Sequence, residues 1–181
     1  ATAEGLRQSG RFIVRRVKVK LERCPERLRG LTITHLSDLH VGRIFRPQHL
    51  PVMIDAVNQL KSDIVAITGD IIDHSLDFLP VTMDAFTRIE HRYGRFLVIG
   101  NHDLIHFGEV VIAELSQREP GYLSDRCVLL DIDGEKIQVA GLFWSRNNEA
   151  EDGRPGHRDR ARTAMANADH HVFTLGLAHH P

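Results

Sequence analysis

The stretch DIVAITGDIID, residues 63–73, decides how the rest of the chain is read. Ile64 to Thr68 form a short apolar run bounded by Asp63 and Gly69, a length and composition that read as a strand. Two carboxylates follow at once, Asp70 and Asp73. In open α/β sheets, ligands gather outside the carboxyl ends of the strands, so acids at this place are candidate site residues.

Working outward, the same grammar repeats. LTITHLS (31–37) reads as a buried strand, and HLPVMIDAVNQLK (49–61) sets Leu50, Met53, Ile54, Val57 and Leu60 on one helical stripe. A helix is expected over 78–91, a third strand at RFLVIG (95–100) and a short helix over 109–117. Asp133-Gly134 sits between two alternating segments, which predicts a hairpin and a mixed sheet. Residues 145–160 are polar and rich in Gly, Asn and charge, and read as a surface loop. HVFTLGLA (171–178) is the last strand. Strands alternating with helices, plus a hairpin, predict an α/β sandwich.

The 181 residues, 42% of them hydrophobic, suit one domain with a real core. Residues 1–29 carry nine Arg/Lys against three Asp/Glu, whereas 30–181 carry fourteen against twenty-one, so a basic arm precedes an acidic body. Within the arm, Ile13, Val17, Val19 and Leu21 alternate with Arg16, Lys18 and Lys20, the pattern of a half-exposed strand. Such an arm could also touch an anionic membrane surface. Cys24 and Cys127 are too few for a disulfide framework and lack zinc-site spacing. The opening ATAEG lacks the basic start and apolar stretch of a signal peptide.

Four strand ends collect chemistry: Ser37-Asp38-Leu39-His40, Gly69-Asp70-Ile71-Ile72-Asp73, Gly100-Asn101-His102-Asp103 and His179-His180. Any one of the first three alone reads as a turn or helix cap. Together they supply carboxylates, an amide oxygen and imidazoles, a set that Mn²⁺, Fe or Zn²⁺ accepts. His35, inside a strand, reads as a core or hydrogen-bonded residue; His74 and His106 trail the motifs and could line a crevice.

DLH, GDIID and GNHD, in that order and each at a strand end, resemble the DxH, GDxxD and GNH[DE] motifs of the calcineurin-like metallophosphoesterases. GLTITHLSDLHVG, DIVAITGDIID, VIGNHD and LAHHP further resemble a bacterial, often membrane-anchored subgroup, similar to UDP-diacylglucosamine pyrophosphohydrolases. The resemblance implies a four-layer α/β sandwich of two mixed β-sheets flanked by helices, over a domain spanning 30–181. It implies two divalent metal ions, Asp38 and His40 on one, Asn101 and His179 on the other, with Asp70 bridging. His102 would be the general acid. Asp73 and Asp103 would stand behind the ligands, Asp73 holding the His102 imidazole. The implied reaction is cleavage of a phosphodiester or pyrophosphate bond by metal-bound hydroxide, on a small or lipid-linked substrate, in a membrane-associated or cytoplasmic bacterial setting.

The family's closing GHxH motif is missing, which makes the expected fold C-terminally truncated and the His179 metal the more labile. A rival reading is a degenerate, non-catalytic binding module. Nucleic acid is disfavoured, since aromatics are 6% of the chain and do not interleave with the basic residues. Because neighbours on a strand point to opposite faces, only His179 of the final pair is expected at the metals, with His180 facing crevice or solvent.

Overall fold

The computed structural model of the protein describes residues 13–22, 24–43, 45–105, 107–145 and 155–180. The strands β1 (Ile33–Leu36), β2 (Ile64–Thr68) and β3 (Gly94–Val98) form one sheet in that order, all parallel. A second sheet holds β4 (Arg126–Ile132), β5 (Glu135–Gly141) and β6 (Phe173–Leu177), with β4–β5 antiparallel and β5–β6 parallel. The two sheets and flanking helices agree with the sandwich expected. Among the described residues, mixed pairing is confined to the second sheet.

The central strand explains the layers. All five residues of β2 are buried, and alternate ones face different cores. Val65 and Ile67 join Leu50, Met53 and Ile54 of α1 (Leu50–Gln59) and Met83 and Phe86 of α2 (Leu79–Phe86) in one apolar cluster. Ile64 and Ala66 join Phe96, Val98, Ile137 and Val139 in a second cluster between the sheets. A strand covered on both faces has no polar side, which is why its sequence runs apolar without alternation.

The ends of the chain differ from expectation. Among the described residues β1 is an edge strand with Ile33 exposed, since only β2 pairs with it there. Residues 13–22 form no strand, and Ile13, Val17 and Val19 stand mostly in solvent. Alternation alone does not make a strand, because its backbone N–H and C=O groups need a ladder partner, and none pairs with this segment among the described residues. The expected loop over 145–160 also contains the start of a helix, α5 (His157–Met165), while residues 146–154 lie outside the described set. Only Ala164 of α5 is buried. Arg160 anchors the helix instead, pairing with Asp125 at 2.5 Å and lying 4.5 Å over the Phe143 ring. Such a helix leaves no apolar stripe for periodicity to find. The hairpin is as expected: Asp133 and Gly134 both have positive φ, 50° and 86°, the two-residue turn that matches strand twist.

Two short helices complete the frame around the site. Residues Asn101–Leu104 form α3 and Gly108–Arg118 form α4. No helix among the described residues is long and apolar enough to cross a membrane.

Candidate functional site

The site is assembled by backbone before any side chain is considered. The loops after β1 and β2 run side by side through Asp38 N–H to Gly69 O (3.2 Å), His40 N–H to Asp70 O (2.9 Å) and Val41 N–H to Ile71 O (2.9 Å). The loop after β3 is then drawn in by glycine. A Cβ on Gly69 would lie 2.4 Å from the Gly100 nitrogen, and one on Gly100 would lie 2.2 Å from Asp70 Oδ1. Only glycine at both places lets the second and third strand ends meet. Asp38, His40 and Asp70 themselves hold left-handed backbone, φ 54°, 43° and 53°. Each costs about 1 kcal/mol or more, a strain that clusters where side chains must be aimed.

Asp103 ties these loops from behind. Its Oδ1 accepts from the N–H of Ile71 (2.8 Å) and Ile72 (3.3 Å), and its Oδ2 from the Gly100 N–H (3.0 Å). It is 2% exposed, and burial pushes its carboxyl above the ordinary carboxylate value despite those three donors. Asp103 therefore positions loops and offers its oxygens to backbone.

The side chains converge on Asp70, whose two oxygens face different neighbours. Oδ2 lies 3.4 Å from His40 Nε2, which is 3.9 Å from Asp38 Oδ1. Oδ1 accepts from the His102 N–H (2.9 Å) and lies 3.4 Å from His179 Nε2. His179 Nε2 is in turn 3.0 Å from Asn101 Oδ1. The structure thus brings Asp38, His40, Asp70, Asn101, His102 and His179 together. Asp73 shares a second cluster with His40 and His102, in which the ligating atoms lie within 4.8 Å of one another. The His102 Nδ1 is buried there without a hydrogen bond, and Asp73 lies 3.3 Å from His74 Nε2. Asp73 is thus near His102, the imidazole it was expected to hold, without a hydrogen bond to its buried Nδ1.

The donor set fits divalent cations. His179 Nδ1 lies 2.7 Å from the Thr68 carbonyl and donates its proton there. That tautomer turns the Nε2 lone pair toward Asn101 Oδ1 and Asp70 Oδ1, so three acceptors face one another. Acceptors so placed repel unless a cation or an added proton stands between them. Mixed imidazole, amide and carboxylate ligands suit Mn, Fe or Zn, and the second-partner contact at Nδ1 is what metal-bound histidines require.

His180 is exposed, in keeping with the expected crevice or solvent position, yet it also reaches a site residue. Its Nε2 also lies 3.3 Å from Asn101 Oδ1, and its ring centroid is 4.2 Å from that of His179. β6 ends at Leu177 and the chain bends at 179, so the two-residue alternation of a strand no longer applies. The expected lability of the His179 metal concerns an ion; of the ligand itself, the side chain is 1% exposed and its ring is held through Nδ1 on the Thr68 carbonyl. His35 is hydrogen-bonded, through Nε2 to the Thr68 hydroxyl at 2.7 Å. His74 stands beside the cluster, its ring centroid 5.9 Å from that of His102, while His106 lies outside the described residues. Sequence reasoning missed Thr68, whose carbonyl sets the His179 tautomer. A backbone acceptor carries no residue-type signal. The GDIID and GNHD clusters were legible as turns at strand ends, though the contact of Gly69 with Gly100 was not.

Comparison with known proteins gives the family in which these motifs occur. The description "Calcineurin-like phosphoesterase" matches residues 31–153, more than half of the chain. An "Uncharacterized metallophosphoesterase" of Helicobacter pylori is 26% identical over 151 residues, 83% of this chain and 39% of that protein. One of Bacillus subtilis is 26% identical over 167 residues, 90% of this chain and 55% of its own length. A "Transmembrane protein with metallophosphoesterase domain" of Danio rerio is 33% identical over 87 residues, 48% of this chain and 20% of that protein. The chain therefore spans from a fifth to just over half of these relatives. With the three motifs converged on a cation-binding donor set and the match running through all of them, the chain belongs to the calcineurin-like phosphoesterase family, metal-dependent hydrolases of phosphoesters.

Proposed function

We propose that this protein hydrolyses a phosphodiester or pyrophosphate bond with two divalent cations held on either side of Asp70. The observation that carries the reading is the division of that carboxylate: Oδ2 toward Asp38 and His40, Oδ1 toward Asn101 and His179. Cations bound there would acidify water and neutralise phosphate oxygens. The protein's own part is orientation and proton transfer. Asp70 and His179, both buried, hold their lone pairs in place through the His102 N–H and the Thr68 carbonyl. His102, beside Asp73, donates a proton to the departing oxygen, and the Asp73 charge stabilises the imidazolium from which that proton comes.

The likeness of LAHHP and the three motifs to the UDP-diacylglucosamine pyrophosphohydrolases supports a pyrophosphate or lipid-linked substrate. The exposed arm, with Arg15, Arg16, Lys18 and Lys20 among apolar residues, supports contact with an anionic membrane surface. The test is turnover of bis-p-nitrophenyl phosphate after chelation and after Mn²⁺ is restored. Activity that vanishes and returns is expected. Bound metal without turnover would favour the non-catalytic binding module, and absence of both would end the metal reading.

A further inference from the structure

A cleft of about 260 Å³ opens beside the site, lined by Arg43, Asp73, His74, Ser75 and Phe78. Asp73 belongs both to this cleft and to the His40–Asp73–His102 cluster, and the His74 ring is 5.9 Å from that of His102. The cleft thus lies on the His102 side of the centre. In the reaction proposed above, on which this inference rests, that is the side by which the leaving group departs.

We infer that Arg43 is a specificity-determining residue that grips an anionic oxygen of the leaving group, fitting the site to pyrophosphate diesters. Its backbone is held against the site. Val41 is fully buried and bonded to the Ile71 and Asp73 backbone, the Gly42 N–H donates to Phe45 O (2.9 Å), and a Cβ on Gly42 would lie 2.6 Å from that of Asp73. Arg95, Arg118 and Arg160 are paired with Glu119, Asp84 and Asp125 respectively. The Arg43 guanidinium, by contrast, makes no hydrogen bond or ion pair among the described residues, so its fork of donors stands open at the rim.

The other walls narrow the class of ligand. The Ser75 hydroxyl is engaged with Asp77, and Phe78 offers an apolar surface packed on the core. Asp73 and His74 lie 3.3 Å from each other, so the cleft sets the Arg43 cation in company with that pair, an apolar wall and a proton donor. A guanidinium matches the paired oxygens of a phosphate, and a neutral alcohol leaving group would give it no partner. In a pyrophosphate diester, water's oxygen bonds to the attacked phosphorus while the bond from that phosphorus to the bridging oxygen breaks. The bridging oxygen takes its proton from His102 and departs on a phosphate monoester, whose remaining oxygens Arg43 holds. The proton lost by water goes to solvent and His102 is reprotonated, so two monoesters result.

The test compares Arg43→Ala and Arg43→Lys with wild type on ADP-ribose, a pyrophosphate diester, and on bis-p-nitrophenyl phosphate, whose leaving group has no anionic oxygen beyond the one released. Arg43→Ala should lose about 10- to 100-fold in kcat/KM on ADP-ribose, at least about tenfold more than on the aryl diester, and Lys should recover part of it. A merely structural role would lower both substrates alike and leave Lys no advantage over Ala. Equal losses, no loss on ADP-ribose, or a wild type that cleaves the aryl diester and not ADP-ribose would each overturn the assignment. A wild type inactive on both substrates would instead bring down the hydrolase reading and this inference with it.

Discussion

The two sides of Asp70 differ in how they meet solvent. On one side, the His179 side chain is 1% exposed; on the other, that of His40 is 32% exposed and that of Asp38 57%, with Asp70 between them at 3%. The buried side is pre-organised, because Thr68 fixes the His179 tautomer and the His102 amide fixes Asp70 Oδ1. On the open side, Asp38 is held through Ser37 Oγ at 2.5 Å and through left-handed backbone, with water free to reach its oxygens. Ligands already in place lose little freedom when an ion arrives, so the buried side should bind its cation more tightly and the open side should exchange it faster.

Removing the shared carboxylate breaks the comparison outright. Asp70→Asn should lose ions from both sides, and hydrolysis of bis-p-nitrophenyl phosphate should fall to the metal-free background. Turnover and metal content at wild-type level would mean Asp70 is not shared. His102→Ala probes chemistry without either side. It should keep its ions and lose about 10²–10⁴-fold on an alkyl phosphodiester, and far less on a p-nitrophenyl ester whose leaving group needs no proton. Equal losses on the two would remove His102 from the acid role.

Smaller changes sharpen the contrast. His179→Ala should lose the buried-side ion, while His180→Ala, which touches Asn101 from an exposed position, should weaken it by less than about tenfold. If His180→Ala is the one that loses the ion, the register of the last strand end is misassigned. Asp103→Asn should cost about 1–3 kcal/mol of stability, since an amide nitrogen would then face backbone donors. Its pH dependence has a definite sign. Burial raises the folded carboxyl above its ordinary 3.8, so its contribution is whole below that value and is lost as pH rises through the raised one. The gap between wild type and Asp103→Asn, measured by unfolding metal-free protein, should therefore narrow with rising pH. A gap that widens would show that the three N–H donors outweigh burial.

The site was more legible in the sequence than the margins of the fold. Asp38, Asp70, Asn101 and His179 sit where strands end, and chemistry at strand ends is a pattern that residue types display directly. β2 was legible because burial on both faces leaves a continuous apolar run. Residues 13–22 show the limit, having a strand's alternation without a strand's partner among the described residues. The α5 helix shows the converse, being held by Arg160 through Asp125 and Phe143 with no apolar stripe to reveal it. His180 and Thr68 depend on a bend and a backbone carbonyl, which only the folded chain supplies.

The central claim is two unequal cation sites sharing one carboxylate, and a manganese titration of the chelator-stripped wild-type protein tests it most directly. Two ions per chain should bind, in separable steps, with Asp38→Ala abolishing the weaker step and leaving the tighter one. A single ion per chain, or a tighter step that disappears with Asp38 rather than with His179, would contradict it.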